Sequence, residues 1–152
     1  MEKFTFTLLL TLLISFLNAF ALSNQECFDI AGERYGVDPT LLQAIAIQES
    51  SLNPNAINKN KNRTYDIGIM QINSFWIPIL KEYGIKEKDL ADPCQNIVVG
   101  AWILSRCLSI FGKTWKAVDC YNKGPKRAKE YSKYTLKVFE IRKKILSQKF
   151  LP

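Results

Sequence analysis

The sequence predicts a single, compact, mainly α-helical domain with at most a small β-hairpin, which would lie between residues 58 and 68. Three observations support this fold class. The chain has 152 residues, which suits one domain, and its hydrophobic fraction of 47% is typical of a folded protein. Helix-capping signals recur along the chain, whereas no segment keeps the apolar–polar alternation of a strand.

The first two helices are predicted by their caps. A capping box at residues 23–26 begins a helix that ends near Gly36. Asp38, followed by a proline, caps a second helix over residues 39–49. The Asn-rich residues 53–62 have the composition of a loop.

Three more helices are predicted in the second half of the chain. Asp92, again followed by a proline, caps a long apolar helix that ends near Gly112. Thr114 caps a short helix that ends at Gly124. The last helix is expected over residues 126–148, and its predicted apolar face consists of Tyr131, Tyr134, Val138, Ile141 and Ile145.

Residues 1–21 have the pattern of a cleavable secretion signal. Lys3 is followed by a mostly apolar run over residues 4–17, which is short for a membrane span, and an Ala-x-Ala site ends the segment. An uncleaved anchor is the alternative interpretation. No later segment is expected to cross a bilayer, so we expect an exported or periplasmic protein that begins at Leu22 after cleavage.

The four cysteines predict two disulfides, because an exported protein folds in an oxidising compartment. A helical hairpin would bring Cys107 close to Cys120, which leaves Cys27 to pair with Cys94. A structural zinc site on all four cysteines is the alternative, but the paired short spacings of such sites are absent from the sequence. We therefore expect neither a metal nor another cofactor.

Charge and composition limit the chemistry that the chain can perform. The formal net charge is +7 and there is no His. Residues 22–124 hold 11 Lys+Arg and 11 Asp+Glu, whereas residues 125–152 hold 9 Lys+Arg against 2 Glu, so the excess lies in the tail. Without His, acid–base chemistry needs carboxylates, Lys, Tyr or Cys. The tail shows no nucleic-acid-binding motif, and we expect no nucleic-acid partner.

Glu49 is the best candidate for an acid–base group. It ends a predicted helix that is apolar on nearly all sides, and it shares one helix face with Leu42 and Ile45. A carboxyl held against aliphatic side chains is desolvated, which raises its pKa and keeps it protonated near neutral pH. The alternative is a Glu at the helix end that turns into solvent.

Three short motifs follow one another in the sequence. Residues 49–56 read Glu-Ser-Ser-Leu-Asn-Pro-Asn-Ala, residues 68–73 read Gly-Ile-Met-Gln-Ile-Asn, and residues 121–124 read Tyr-Asn-Lys-Gly. In this order they resemble the signature motifs of lytic transglycosylases with the goose-type lysozyme fold. The small exported members that accompany secretion, conjugation and pilus systems are the most similar, since they share an early Cys like Cys27 and an Asp-Pro-Cys like residues 92–94.

This resemblance implies an α+β lysozyme-like fold, with residues 22–124 as the catalytic domain and residues 125–152 as a basic helix packed on it. It also implies cleavage of the MurNAc–GlcNAc β-1,4 bond of peptidoglycan with formation of 1,6-anhydroMurNAc. In the family, the Glu of the first motif protonates the glycosidic oxygen and then, as a carboxylate, deprotonates the MurNAc C6 hydroxyl that attacks C1. Because the nucleophile belongs to the substrate, one carboxyl, here Glu49, suffices.

The resemblance further implies which residues support Glu49. Tyr121 would hydrogen-bond Glu49 and help set its protonation. A glycine lets backbone approach a ligand closely, and side-chain amides suit sugar hydroxyls. The remaining residues expected to line or brace the sugar groove are Ser50, Gly68, Met70, Gln71, Asn73 and Asn122.

Two features leave alternatives open. Asp66 is a second carboxylate close to the middle motif, and we interpret it as a turn residue. If it activated water instead, the protein would be a lysozyme-like muramidase. Cys120 and Lys123 replace alanines that are common in the family, and we interpret them as tuning, with Lys123 adding positive charge beside the groove. A non-catalytic peptidoglycan-binding protein is the remaining alternative.

The expected partner is the glycan strand of peptidoglycan, cleaved locally around a secretion, conjugation or pilus assembly by a monomeric enzyme. The basic face of the last helix would also hold the enzyme near anionic wall polymer. Four large aromatic side chains have flat apolar faces that suit sugar rings, although most of them are expected in the core; they are Phe75, Trp76, Trp102 and Trp115.

Overall fold

A computed structural model describes residues 22–149, so the predicted secretion signal lies outside the described residues. The α-helices are α1 (Asn24–Tyr35), α2 (Pro39–Ser50), α3 (Ile77–Glu82), α4 (Pro93–Phe111), α5 (Trp115–Lys123) and α6 (Lys133–Lys149). The strands are β1 (Ile57–Lys59), β2 (Tyr65–Ile67) and β3 (Ile72–Asn73). Short 3₁₀ turns lie at Ser74–Trp76, Glu87–Ala91 and Pro125–Arg127. The predicted mainly α fold class is confirmed.

The predicted caps explain where four of the helices begin. The Ser23 Oγ accepts a hydrogen bond from the Glu26 backbone N–H, and the Glu26 carboxylate accepts one from the Ser23 N–H at 2.8 Å, which completes the capping box of α1. Asp38, Asp92 and Thr114 accept backbone N–H groups in the first turns of α2, α4 and α5. These caps satisfy N–H groups that have no partner inside a helix.

The sheet is slightly larger than the predicted hairpin. β1 pairs antiparallel with β2, and β2 pairs antiparallel with β3, so the strand order is β1-β2-β3. Asp66 lies opposite Asn73 in the second pair. The interpretation of Asp66 as a turn residue is therefore wrong, because the turn lies before β2 and Asp66 belongs to the strand.

The last helix begins seven residues later than the sequence pattern indicates, at Lys133. Gly124 ends α5 with φ of +76°, and the following residues form a 3₁₀ turn and an extended connection before α6 begins. The predicted apolar face therefore loses its first member. Tyr131 precedes the helix and is 78% exposed, whereas Val138 within the helix is buried.

The core is centred on α4, which packs against α1 and α5, while α2 packs against α6. The predicted disulfide pairs are both present: Cys27–Cys94 ties α1 to the beginning of α4, and Cys107–Cys120 ties the end of α4 to α5. The hydrophobic residues of α4 that are wholly buried are Ile97, Ala101 and Leu104.

Helix α4 also corrects the expectation that no segment after the leader is apolar enough to cross a bilayer. Pro93–Phe111 is long and apolar enough for a span by length and composition. In this fold it runs through the core and contacts the helices on either side. Many of its apolar side chains are buried in the core or packed against it, and this accounts for the apolar composition of the helix.

Candidate active site

Glu49 lies in the last turn of α2 and lines a groove of about 880 Å³. Leu42 and Ile45, on the same helix face, are fully buried. The groove is bounded by the β-sheet, by one side of α4 and by the end of α5 with the turn that follows. A partly buried carboxyl therefore lies on the wall of an open groove that is large enough for a glycan segment.

The surroundings of Glu49 favour its neutral form. The pKa of Glu49 is raised to about 7, chiefly because burial desolvates the carboxylate and to a smaller extent because of the negative charge of Asp66. A hydrogen bond from Tyr134 acts in the opposite direction. A carboxyl with a pKa near 7 is present in both protonation states at neutral pH, which suits a group that must first give a proton and then take one.

Tyr134, and not Tyr121, donates a hydrogen bond to Glu49. The Tyr134 hydroxyl on α6 lies 2.6 Å from Glu49 Oε1. The Tyr121 hydroxyl instead donates to the backbone carbonyl of Met70 at 2.7 Å. The expectation for Tyr121 is wrong because α5 faces the segment after β2, whereas α6 packs directly along α2. The sequence analysis placed Tyr134 only on the apolar face of the last helix. A phenol on an otherwise apolar face needs a hydrogen-bond partner when it is buried, and this could have indicated its role.

Both phenols remain hydrogen-bond donors over the working pH range. Burial raises the pKa of Tyr134 well above its ordinary value, and the charge and hydrogen bond of Glu49 add to the effect. Burial also raises the pKa of Tyr121, with smaller contributions from Glu49 and Asp66. Because Tyr134 donates to Oε1, the Oε2 atom of Glu49 is the one left to carry the acid proton.

The segment that carries the middle motif is held from behind by two polar side chains. Ser50 donates from its hydroxyl to the Ile69 carbonyl at 2.7 Å, which fits the predicted bracing position. Asn96, fully buried on α4, accepts from the Met70 N–H at 2.8 Å and donates to the carbonyls of Ile67 and Leu90. The sequence analysis missed Asn96, although an Asn within an apolar helix was a visible signal.

Gly68 and Met70 lie behind the groove wall and do not line the groove. Gly68 has φ of +76°, and a Cβ at this position would collide with the amide of Asn96. Met70 is fully buried, and its carbonyl is taken by Tyr121. The close backbone approach predicted at Gly68 therefore serves packing against Asn96, since a left-handed backbone without a side chain fits there.

Gln71 and Asn73 do line the groove, but their amides also hold the sheet together. Gln71 donates to the carbonyls of Ala56 and Gly68 and accepts from Asn58 at 2.7 Å. Asn73 donates to Asp66 at 2.7 Å and accepts from the Phe75 N–H. These bonds fix the shape of the wall beside Glu49.

Asp66 also lines the groove, and its carboxylate is held by two amides. Asn73 donates to Oδ1 at 2.7 Å and Asn60 donates to Oδ2 at 2.9 Å. Among residues 22–149, no group of three or more Cys, Asp or Glu side chains is arranged to hold a metal ion. The negative charge of Asp66 contributes to the raised pKa of Glu49.

The end of α5 is fastened to the beginning of α6 by Asp119, which is fully buried. Its carboxylate accepts from Lys123 Nζ at 2.8 Å, from Ser132 Oγ at 2.5 Å and from the Lys129 N–H at 2.8 Å. Burial opposes ionisation, but these bonds outweigh it and lower the pKa of Asp119. The charge of Lys123 is therefore neutralised by an ion pair with Asp119, which corrects the expectation that Lys123 adds positive charge beside the groove. Asn122 is exposed on the groove wall.

Comparisons with known proteins agree with this geometry. Residues 26–142 match the family model described as the transglycosylase SLT domain. The chain is 43% identical over 123 residues to "Invasion protein IagB" of Salmonella typhimurium, covering 79% of this chain and 77% of that protein. It is 41% identical over 121 residues to "Protein IpgF" of Shigella flexneri, covering 78% and 80%.

A solved structure shows the same fold. An inactive mutant of the lytic transglycosylase Slt from Pseudomonas aeruginosa superposes with a TM-score of 0.60 at 23% sequence identity. The alignment covers 82% of this chain and 22% of the much longer Slt chain. At this level of identity, the comparison establishes the lysozyme-like fold.

Proposed function

The chain belongs to the transglycosylase SLT family and is a peptidoglycan lytic transglycosylase, and we propose that Glu49 is its single catalytic acid and base. The observation that carries this assignment is the carboxyl of Glu49 on the groove wall, with a pKa raised to about 7 and one hydrogen-bond donor, Tyr134. The other carboxyl that lines the groove within residues 22–149, that of Asp66, already accepts hydrogen bonds from two side-chain amides.

The reaction needs two proton transfers at the same place. Protonated Glu49 gives its proton to the glycosidic oxygen between MurNAc and GlcNAc as the bond to C1 breaks. The resulting carboxylate takes the proton of the MurNAc C6 hydroxyl, whose oxygen attacks C1 and closes the 1,6-anhydro ring. Glu49 ends the cycle protonated, so the reaction consumes no water and needs no second catalytic carboxyl.

Asp66 supports the first step by its charge. Its negative charge raises the pKa of Glu49, which keeps the acid protonated. Both of its oxygens already accept amide hydrogen bonds, from Asn73 and Asn60. This arrangement suits a fixed charge better than a base that must orient a water molecule, and it favours transglycosylation over the muramidase alternative.

Product analysis tests this assignment. Digestion of peptidoglycan by the wild-type protein should release muropeptides that end in anhydroMurNAc. Glu49→Gln should lower the rate by about 10²- to 10⁴-fold, the range typical of a lost general acid–base group. Glu140→Gln, at an exposed position on α6, is the matched control and should cleave normally.

Three other results would replace the assignment. Products that end in reducing MurNAc would identify a muramidase. Wild-type protein that binds sacculi without releasing fragments would identify a non-catalytic binding protein. Retained cleavage by Glu49→Gln would move the acid to another residue.

We also propose where the enzyme acts. Its substrate lies outside the cytoplasm, and residues 1–21 would export it to the periplasm as a monomer. The resemblance of its motifs to those of small exported family members that accompany secretion systems supports local wall remodelling around such an assembly. If so, secretion by the host strain should fall when the gene is deleted and should return with the wild-type gene but not with Glu49→Gln. Cell fractionation that finds the protein in the cytoplasm would contradict this proposal.

A further inference from the structure

Arg106 places a positive charge on the groove wall, where it lies over two tryptophan rings. It is exposed on α4 and lines the groove. Its guanidinium carbon lies 5.1 Å from the ring centre of Trp102 and 5.9 Å from that of Trp76. Within residues 22–149, ion pairs are formed by Lys123 and Arg142, and no carboxylate pairs with Arg106.

The aromatic side chains form a rigid support for this guanidinium. Trp76 and Trp102 meet edge to face with ring centres 5.4 Å apart, and Phe75 meets Trp76 in the same way at 5.5 Å. Stacking on aromatic faces uses the flat side of a guanidinium and leaves its N–H edge free for an acceptor. Because the side chain is already held in place, binding an acceptor costs less conformational entropy.

The charges along the groove indicate what the acceptor is. Glu49 is only partly ionised near neutral pH, Asp66 is held by amides, and Lys123 is neutralised by Asp119. Arg106 is thus left facing the groove without a carboxylate, as are Lys61 and Arg127. Neutral sugar rings need no such cations, whereas a ligand with carboxylates does.

We propose that Arg106, supported by Trp76 and Trp102, forms a subsite for a carboxylate on the lactyl-peptide arm of MurNAc. This proposal rests on the proposed function, because it concerns how the same groove recognises its substrate. GlcNAc carries no charge. MurNAc carries a lactyl ether that ends in a carboxylate when free, or in a peptide that has carboxylates of its own. Arg106 would bind the strand by this arm and place the glycosidic bond at Glu49.

Binding in the absence of turnover tests the proposal. The Glu49→Gln protein is titrated with three glycans: peptide-bearing strands, strands whose peptides have been removed to leave the lactyl carboxylate, and an uncharged GlcNAc oligomer. Adding Arg106→Gln should weaken binding of a carboxylate-bearing glycan about 10-fold, the size expected for a lost charge-assisted hydrogen bond. Binding of the GlcNAc oligomer should not change.

The three glycans also locate the carboxylate. Loss on both charged glycans assigns Arg106 to the lactyl carboxylate, and loss on peptide-bearing strands alone assigns it to the peptide. Equal loss on all three glycans, or loss on none, would overturn the proposal. Arg34→Gln, at an exposed position on α1 outside the groove, is the matched control and should bind all three as before.

The outcome is separable from that of the proposed function. If the protein cleaves peptidoglycan through Glu49 but Arg106→Gln leaves the binding of the charged glycans unchanged, the subsite proposal fails and the catalytic assignment stands. If the protein never releases fragments, yet Arg106→Gln weakens the binding of carboxylate-bearing glycans as predicted, the catalytic assignment fails and the subsite proposal stands.

Discussion

Glu49 and Asp119 are two carboxyls in desolvated surroundings with opposite behaviour. Burial acts against the charged form of both side chains. Asp119 accepts hydrogen bonds from an ammonium group, a hydroxyl and a backbone N–H, and its pKa is lowered. Glu49 accepts one bond from a phenol, and its pKa is raised to about 7. The donors around a carboxyl, more than burial alone, decide whether it is a structural anion or an acid.

The largest loss of stability is expected at Asp119. Asp119→Asn should lower the free energy of unfolding by about 3 kcal/mol at pH 7. The variant leaves Lys123 without its ion-pair partner and weakens the hydrogen bonds that join the end of α5 to the beginning of α6. The folded-state pKa of Asp119 is lowered, so its stabilisation is fully present above pH ~4 and is lost as the pH falls below that value. Urea unfolding measures both effects. Glu130→Gln is the control, because Glu130 is exposed in the same connection between α5 and α6, and it should leave stability unchanged. An equal loss of stability in both variants would contradict the role of Asp119 in joining the two helices.

Glu49 should have the opposite effect on stability. Its folded-state pKa is raised, so the native state holds the proton more tightly, and wild-type stability falls as the pH rises from about 4.5 to about 7. Gln at this position does not ionise, so Glu49→Gln should be more stable than wild type by about 3 kcal/mol at pH 8, with little difference at pH 4. Urea unfolding at the two pH values tests this, and Glu140→Gln is the control. A stability difference between Glu49→Gln and wild type that is the same at both pH values would contradict a raised pKa for Glu49.

Removing the phenol should make Glu49 less acidic. Tyr134→Phe deletes the hydrogen bond that lowers the pKa of Glu49, so the fall of kcat/KM on the basic side should move to higher pH. The rate should drop about 5-fold, as for one lost hydrogen bond of about 1 kcal/mol. Tyr131→Phe is the control, because Tyr131 is 78% exposed just before α6. A basic limb that moves to lower pH would contradict the role of Tyr134.

Removing the neighbouring charge should have the opposite and smaller effect. Asp66→Asn deletes a charge that raises the pKa of Glu49, so the basic limb of kcat/KM should move to lower pH. The products should still end in anhydroMurNAc. Asp29→Asn, exposed on α1, is the control. Loss of all cleavage without a shift of the limb would instead assign Asp66 to the chemistry.

Much of the fold could be predicted because its signals are local. The caps at Asp38 and Asp92 lie within a few residues of the helices that they begin, and the disulfides follow from helix order. Glu49 was found by the same local reasoning, because the helix that carries it is apolar on nearly every side. A desolvated carboxyl can be identified from the residues that share its helix face.

The partners of Glu49 could not be predicted, because they depend on long-range packing. Tyr134 is 85 residues away in sequence, and the helical period placed it on one apolar face with Tyr131. Only the position of α6 along α2 shows which tyrosine reaches the carboxyl. Gly68 was misassigned for a similar reason, since the side chain that requires a glycine there, Asn96, arrives from another helix.

The most direct test of the contrast between the two carboxyls is a titration of the Glu49 carboxyl itself. The protein is labelled with ¹³C at the side-chain carboxyl of Glu, and the signal of Glu49 is identified by its absence in Glu49→Gln. The structure predicts a midpoint at about pH 7 for this signal. A midpoint near 4.5, the value for an unperturbed Glu, would show that Glu49 is ionised at neutral pH, and it would contradict the assignment of Glu49 as the catalytic acid.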